Sequence, residues 1–145
     1  MGYAVNSNGS WRTVASPTGI VSGETYQYTL LQTLNDVKIS QIGSIYNSYL
    51  SAIQQPVTYN GVVYQSDANS VSNLSKMIDS FPTVTPTGFY WVAADNSQVP
   101  FAAVDLKGLA LAMAAQGWAA FQHLQTQKAA VLVALDVPTA LSVAW

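Results

Sequence analysis

Apolar residues recur at alternating steps of three and four along the first half of the chain, the pattern of a helix with one apolar face. The pattern predicts a helix from about Tyr26 to Gln55. Pro56 ends it, because the residue before a proline is pushed out of the α region. The apolar seam has a period of about 3.5 and can bury against a helix of the same domain or pair with copies of itself. Its members are Ile39, Ile42, Tyr46, Tyr49 and Ile53.

A second helical pattern runs from about Ala103 to Leu135. Asp105 in its first turn suits the positive end of the helix dipole. Trp118 and Phe121 lie on a stripe beside the one expected to face the core. We expect the core-facing stripe to comprise Leu106, Leu109, Met113, Gly117, Ala120, Leu124 and Val131.

Short β-prone runs occur in pairs around turn-forming residues, which is typical of β-hairpins. Asn60 and Gly61 stand between alternating apolar residues and predict a type I′ turn, since both adopt positive φ at little cost. The other two hairpins lie around "NSNG" and "ADNS". Their predicted strands are Tyr3 to Val5 with Trp11 to Val14, and Phe89 to Ala93 with Gln98 to Phe101.

A short helix is predicted after the second hairpin, capped by Ser66 or Asp67. The stretch from Thr58 to Leu74 is then strand, turn, strand and cap, a structural joint rather than a binding loop. Together these elements predict an α+β fold in which short β-hairpins pack with a long N-terminal helix, a short middle helix and a long C-terminal helix. One face of the middle helix carries Val71, Leu74, Ile78 and Phe81.

The elements group into three segments along the chain. Residues 1–25 form a small N-terminal β-hairpin module, and residues 26–137 form a helix-hairpin-helix-hairpin-helix domain. Pro138 is expected to stop the last long helix. Residues 138–145 then form an apolar C-terminal tail that ends in Trp145.

The composition favours contact with other proteins. Half of the 145 residues are apolar and only 8% are charged, which leaves few groups to cover apolar stripes. The five basic residues form no stripe that could follow a phosphate backbone, so we do not expect a nucleic-acid partner. Apolar runs are interrupted by Gln, His and Lys, so we do not expect membrane insertion. The excess apolar surface is therefore expected to meet protein.

Residues that could carry catalysis are scarce. His123 is the only histidine, and no carboxylate lies one helical turn away, so no metal site is predicted. Cysteine is absent, and Asp67, Asp95 and Asp105 stand where turns and caps use aspartate anyway. We therefore predict no catalytic, metal-binding or cofactor-binding residue and no enzyme. Aromatic residues on the short strands favour core or interface packing, with glycan binding as an alternative: Tyr3, Trp11, Tyr26, Phe89, Tyr90 and Trp91.

Several stretches occur in a recognisable order: "VTYNGVVYQSD", "SVSNLSKMI", "FYWVAADNSQVPF" and "AAVDLKGLALAM". From about Leu30 to Leu135 this order resembles a domain found in small proteins of tailed bacteriophages, often encoded beside tail-fibre genes. The opening "YAVNSNGSWRTV" is similar to the small N-terminal module of such proteins. Ala102 departs from the pattern, because relatives tend to have Thr or Ser there as a helix cap ahead of Asp105.

The resemblance implies a structural subunit of a tailed bacteriophage, a tail or tail-fibre adaptor that assembles with other virion proteins. Its expected location is the tail region of the virion, after synthesis in the host cytoplasm. We expect a homo-oligomer, with a trimer as the first expectation. Alternatives are a tail-fibre assembly chaperone that the virion does not retain and a glycan-binding module. The interface candidates are Ile39, Ile42, Tyr46, Tyr49, Ile53, Trp118 and Trp145.

Overall fold

The structure is a computed structural model that describes residues 2–27 and 33–145. Its fold is α+β, with short antiparallel strand pairs and long N- and C-terminal helices, which confirms the predicted fold class. The strands are β1 Gly2–Asn6, β2 Trp11–Val14, β3 Glu24–Gln27, β4 Val57–Tyr59, β5 Val62–Tyr64, β6 Tyr90–Val92 and β7 Gln98–Pro100. The helices are α1 Leu34–Ala52, α2 Ala68–Ser80, α3 Ala103–Val133 and α4 Val137–Ser142.

The chain divides into two compact units. The terminal unit consists of Met1–Asn47 and His123–Trp145, and the central unit of Ser48–Gln122. The long helices α1 and α3 each contribute to both units. The β1–β3 sheet belongs to the terminal unit, and the two later hairpins belong to the central unit.

The sheet of the terminal unit has the order β2-β1-β3, and both pairings are antiparallel. The β1–β2 hairpin confirms the prediction, whereas β3 was not predicted. Arg12 on β2 reaches the far strand, where its Nη2 lies 2.8 Å from Glu24 Oε2. This hydrogen-bonded ion pair lowers the pKa of Glu24. The two outer strands are thus linked by side chains as well as through β1.

The start of the first helix differs from the prediction. A helix from about Tyr26 is wrong, because Tyr26 pairs with Ala4 inside the sheet. The helix α1 begins at Leu34, where Thr33 and Asp36 form a reciprocal cap. The Asp36 N–H donates to Thr33 Oγ1 and the Thr33 N–H donates to Asp36 Oδ2, each at 3.2 Å. The predicted helical positions 28–32 lie outside the described residues.

The first hairpin of the central unit has the predicted turn. Asn60 and Gly61 have φ values of 48° and 77°, and they separate the paired residues Tyr59 and Val62. Positive φ at both central residues defines the type I′ turn, which confirms that prediction. The second hairpin pairs β6 with β7 in the register Trp91↔Val99.

Asp67 caps α2, as predicted: its Oδ1 accepts the N–H groups of Asn69 and Ser70 at 2.9 and 3.1 Å. Of the predicted α2 face, Leu74 is fully buried, Ile78 and Phe81 are half-buried, and Val71 is exposed. The main core joins this helix to both hairpins and α3. Its buried residues are Val57, Tyr64, Leu74, Ala93, Phe101, Leu106, Leu109 and Met113.

The long C-terminal helix closely follows its prediction, since α3 spans Ala103–Val133. Its core-facing stripe is buried throughout, apart from half-buried Gly117. The predicted tail is partly helical, because α4 covers Val137–Ser142. Asp136 caps this helix and Pro138 lies in its first turn, where a missing N–H costs nothing. The proline therefore helps to start a helix, and α3 has already ended before it.

Candidate functional site

The stretch Thr58–Leu74 carries a helix cap at Asp67, and its polar residues Gln65, Ser70 and Asn73 line a cleft between α2 and β6. Asp67 accepts a 2.6 Å hydrogen bond from Ser70 Oγ besides its two backbone N–H groups. These hydrogen bonds, led by that from Ser70, lower the pKa of Asp67. Ser66 is buried and Tyr64 belongs to the core. At Tyr64, Ser66 and Asp67 this geometry supports the interpretation as a structural joint. Gln65 and Asn73 instead face the cleft.

The predicted α1 interface residues differ in exposure. In the terminal unit, Ile39 and Tyr46 are exposed, and Ile42 is half-buried. The buried face of α1 is defined instead by Val37 and Ile45. A surface composed of Ile39 and Tyr46 is thus left on the helix opposite its own packing.

In the central unit, the structure brings two of the α1 candidates together. Tyr49 and Ile53 line a groove of about 360 Å³ with residues of α2 and α3. Gly117 also lines it, and a Cβ added at that glycine would meet nothing within 4 Å. Tyr49 and Ile53 are both half-buried, so part of their surface already packs within the central unit.

The two tryptophan candidates both make ring contacts. Trp118 stacks on Phe121, with ring centroids 5.9 Å apart and planes 23° from parallel. Trp145 meets the His123 ring edge-to-face at 4.6 Å and remains exposed. His123 also lies within hydrogen-bond distance of Gln127. These contacts fix the ring orientations while leaving apolar surface at both positions.

A stripe that was not predicted runs along the outer side of α3. Val104, Leu111 and Trp118 follow one another at seven-residue intervals and are 70%, 71% and 61% exposed. Residues seven apart lie on nearly the same face of a helix. Leu132, which continues this spacing two heptads further on, is also exposed. The sequence feature that could have predicted this stripe is its seven-residue spacing, which runs beside the repeat of the core-facing stripe. We call Val104, Leu111 and Trp118 the outer stripe.

A cleft of about 610 Å³ lies in the central unit, between α2 and strand β6. The α2 side presents Ser70, Asn73 and Met77, which are spaced to lie on one helix face. The strand side runs from Gly88 to Ala94, and Gln65 and Asn96 complete the lining. Among the described residues that line this cleft, none carries a charge.

Asp95 and Asp105 serve a turn and a helix start. Asp95 accepts the Ser97 N–H within the second hairpin turn, and its pKa is lowered through hydrogen bonds from Ser97. Asp105 accepts from the Ala102 N–H at 2.8 Å and from Tyr59 Oη at 3.2 Å. The described residues contain no group of three or more His, Cys, Asp or Glu arranged to hold a metal ion. The observed carboxylate geometry is that of caps and turns.

Comparison with protein families identifies the chain. Residues 44–144 match the family described as a domain of unknown function, DUF4376, and since this is most of the chain, the protein belongs to that family. No curated protein and no solved structure matches it. Within residues 2–27 and 33–145, no helix is long and apolar enough to cross a membrane.

Proposed function

We propose that this protein is a structural subunit of a tailed bacteriophage, an adaptor of the tail or tail fibre that assembles through its helices. The proposal combines the resemblance to small phage proteins with one observation, the exposed outer stripe of α3. The protein is made in the host cytoplasm and becomes part of the tail region of the virion. Its partners are other tail or tail-fibre proteins and further copies of itself.

The outer stripe supports assembly because of its spacing. Seven residues span about 10.5 Å of helix, so the three side chains form a line that a second helix can follow. Burying a large apolar side chain contributes about 1.5–3 kcal/mol, so Val104, Leu111 and Trp118 are strong candidates for a contact. With only 8% charged residues, the chain has little polar cover for such a surface.

We propose a second copy of the chain as the first partner of the outer stripe. Seven-residue repeats are the geometry by which identical helices associate, and closed rotational symmetry is the common outcome for homo-oligomers. A trimer remains the proposed state. On α1, the predicted interface residues Ile39 and Tyr46 are also exposed.

A matched pair of variants tests this surface. Leu111→Glu places a charge in the middle of the outer stripe, whereas Val84→Glu places one at a residue that is 75% exposed outside all helices and strands. Light scattering should show that the wild type and Val84→Glu form the same oligomer and that Leu111→Glu is monomeric. Unchanged helical content by circular dichroism verifies that the variants fold. Equal masses for all three proteins would contradict assembly through the outer stripe.

The virion role is tested separately. Mass spectrometry of purified particles should find the protein in a fixed ratio to the tail proteins. Its presence in infected cells but absence from particles would contradict the adaptor proposal and support the assembly chaperone instead.

A further inference from the structure

The strand β6 has one paired and one open edge. The residues on either side of β6, Phe89 and Ala93, form backbone hydrogen bonds toward β7. The Phe101 N–H donates to Phe89 O, and the Ala93 N–H donates to Ser97 O. In an antiparallel pair, bonded and non-bonded residue pairs alternate, so Trp91↔Val99 is the bonded pair between these points. The backbone N–H and C=O groups of Tyr90 and Val92 therefore point away from β7.

The chain already uses this open edge at one end. The Ala94 N–H, which points the same way as those of Tyr90 and Val92, donates to Val63 O of β5 at 2.8 Å. Gln65, just beyond β5, lines the cleft opposite β6. This hydrogen bond joins the two hairpins, and the cleft lies beside it, between α2 and β6.

The walls of the cleft suit a polypeptide strand. Met77, Phe89 and Trp91 supply apolar surface, and Asn73, Asn96 and Gln65 supply side-chain amides that donate and accept hydrogen bonds. A strand lying beside β6 would meet the backbone groups of β6 on one edge, with the amides of Asn73 and Gln65 supplied by other elements of the lining. Because the described lining carries no charge, the segment that fits best is itself uncharged.

We propose that the cleft binds an extended, uncharged segment of a partner polypeptide, which adds to the open edge of β6 as a further strand. Tyr90 and Val92 are two residues apart, so their backbone groups repeat at about 6.7 Å, the spacing at which a strand presents its own. Strand addition takes affinity from such main-chain bonds and specificity from alternate side chains.

A sugar fits the cleft less well. Stacking on a sugar needs an open aromatic face, and two of the three aromatic rings in the lining are packed on other rings. Trp91 stacks on Phe101 at 6.4 Å and Phe89 packs edge-to-face on Phe81 at 5.7 Å, which leaves the exposed Tyr90. The regularly spaced N–H and C=O groups of Tyr90 and Val92 match another strand and have no matching spacing in a sugar ring. The inference is also independent of the outer stripe of α3, since a monomeric protein would carry the same cleft.

Two substitutions at one position separate the backbone from the side chain. Val92→Pro removes the outward N–H without touching a bond to β7, and proline is tolerated where a strand N–H faces outward. Val92→Thr keeps the N–H and changes only the side chain. A display library of random nine-residue peptides is selected on the wild type, and binding of the enriched peptides is then measured on both variants.

We expect enriched peptides to be uncharged, with β-branched or aromatic residues at alternate positions. Val92→Pro should weaken their binding about tenfold, the effect of losing one hydrogen bond, and Val92→Thr should bind nearly as the wild type does. Copies of the peptides with N-methylated backbone amides should not bind wild-type protein, which tests the mechanism even if Val92→Pro folds poorly. In wild-type protein, the peptides should slow hydrogen exchange of the Tyr90 and Val92 amides.

Three results would overturn the proposal. The first is a library selection that enriches no peptide. The second is equal binding of N-methylated and unmodified peptides. The third is binding of an oligosaccharide such as chitotriose at Trp91 with no competition by peptides, which would make the cleft a glycan site.

Discussion

The two compact units of this protein are built around cores of different sizes. The central unit buries eight residues in one cluster, in which the Phe101 ring meets those of Tyr64 and Trp91 at 5.5 and 6.4 Å. Among the described residues of the terminal unit, the buried cluster consists of Val37, Ala134 and Ala140, with Leu34 and Val137 packed against it. Aromatic rings thus help to fill the central core, whereas the buried apolar side chains described in the terminal unit are aliphatic, with Ile45, Leu124 and Val131 the largest.

The difference suggests where each unit obtains its stability. The central unit buries large side chains, each contributing about 1.5–3 kcal/mol. The terminal unit buries smaller aliphatic side chains and adds polar links, such as the bond from Lys38 Nζ to Leu132 O at 2.7 Å and that from Gln41 to the Val143 carbonyl. It also leaves several aliphatic side chains exposed at the ends of α3 and α4: Leu132, Val133, Leu135 and Leu141. Those residues are available to a partner in the proposed assembly.

The largest expected effect comes from truncating one buried leucine of α3 in each unit. Leu106 and Leu124 lie on α3 and are 0% and 4% exposed, one in the central and one in the terminal unit. Leu106→Ala should lower the free energy of unfolding by about 4 kcal/mol, because the rigid aromatic cluster cannot close around the cavity. Leu124→Ala should cost about 2 kcal/mol, since the described buried apolar side chains of its unit are aliphatic and relax more easily than a cluster of rings. Urea denaturation measures both, and an equal loss would show that the cores do not differ as described.

Two glycines on α3 test how tightly the central unit is packed. A Cβ at Gly108 would lie 2.4 Å from Tyr59 Oη, whereas one at Gly117 would meet nothing within 4 Å. Gly108→Ala should therefore destabilise by about 1–3 kcal/mol, because the displaced Tyr59 ring loses its bond to Asp105. Gly117→Ala should stabilise by up to about 1 kcal/mol through higher helix propensity. Thermal unfolding gives both values, and the same sign for the two would contradict the described packing.

The reciprocal cap of α1 can be introduced at the start of α3 by a single substitution. The α1 cap is reciprocal, but at α3 only the Asp105 half exists, because Ala102 has no side-chain oxygen. Ala102→Thr should complete the box and raise the free energy of unfolding by about 0.5–1 kcal/mol. Ala102→Val is the control, since it has the same branching without the hydroxyl. Equal stability of the Thr and Val variants would show that the hydroxyl does not cap the helix.

The smallest effect is the response to acid. The pKa values of Asp67 in the central unit and Asp136 in the terminal unit are lowered in the folded state, first through hydrogen bonds from Ser70 and Thr139 respectively. Their contribution is therefore present above the unfolded carboxyl pKa of about 4 and is lost as the pH falls through the lower folded values. Asp67→Asn and Asp136→Asn keep a capping oxygen but do not titrate. In each variant the melting temperature should fall less between pH 5 and pH 2.5 than in the wild type, because the pH-dependent contribution of that carboxylate is absent. A drop as large as in the wild type would contradict these assignments.

Features set by neighbouring residues were the ones that the sequence predicted well. The Asn60-Gly61 turn follows from the positive φ that both residues adopt cheaply, and the Asp67 cap follows from its place before an apolar-periodic run. The buried stripe of α3 follows from helix periodicity alone. Each of these depends on a few residues of one segment.

Features set by distant contacts were missed. The strand β3 exists because Glu24–Gln27 pairs with β1, and nothing local in "ETYQ" distinguishes it from a helix start. The open edge of β6 depends on how far β5 and α2 lie from it, which no spacing within "FYWVAADNSQVPF" encodes. The outer stripe is intermediate, since its spacing is visible in the sequence but its exposure depends on what the fold covers.

Sedimentation equilibrium of the wild-type protein over a wide concentration range tests the assembly proposal most directly. We expect a species whose mass is a multiple of the 15.5 kDa chain, three copies being the proposed state, and we expect Leu111→Glu to dissociate it. A mass of 15.5 kDa for the wild type at every concentration would contradict self-assembly through the outer stripe.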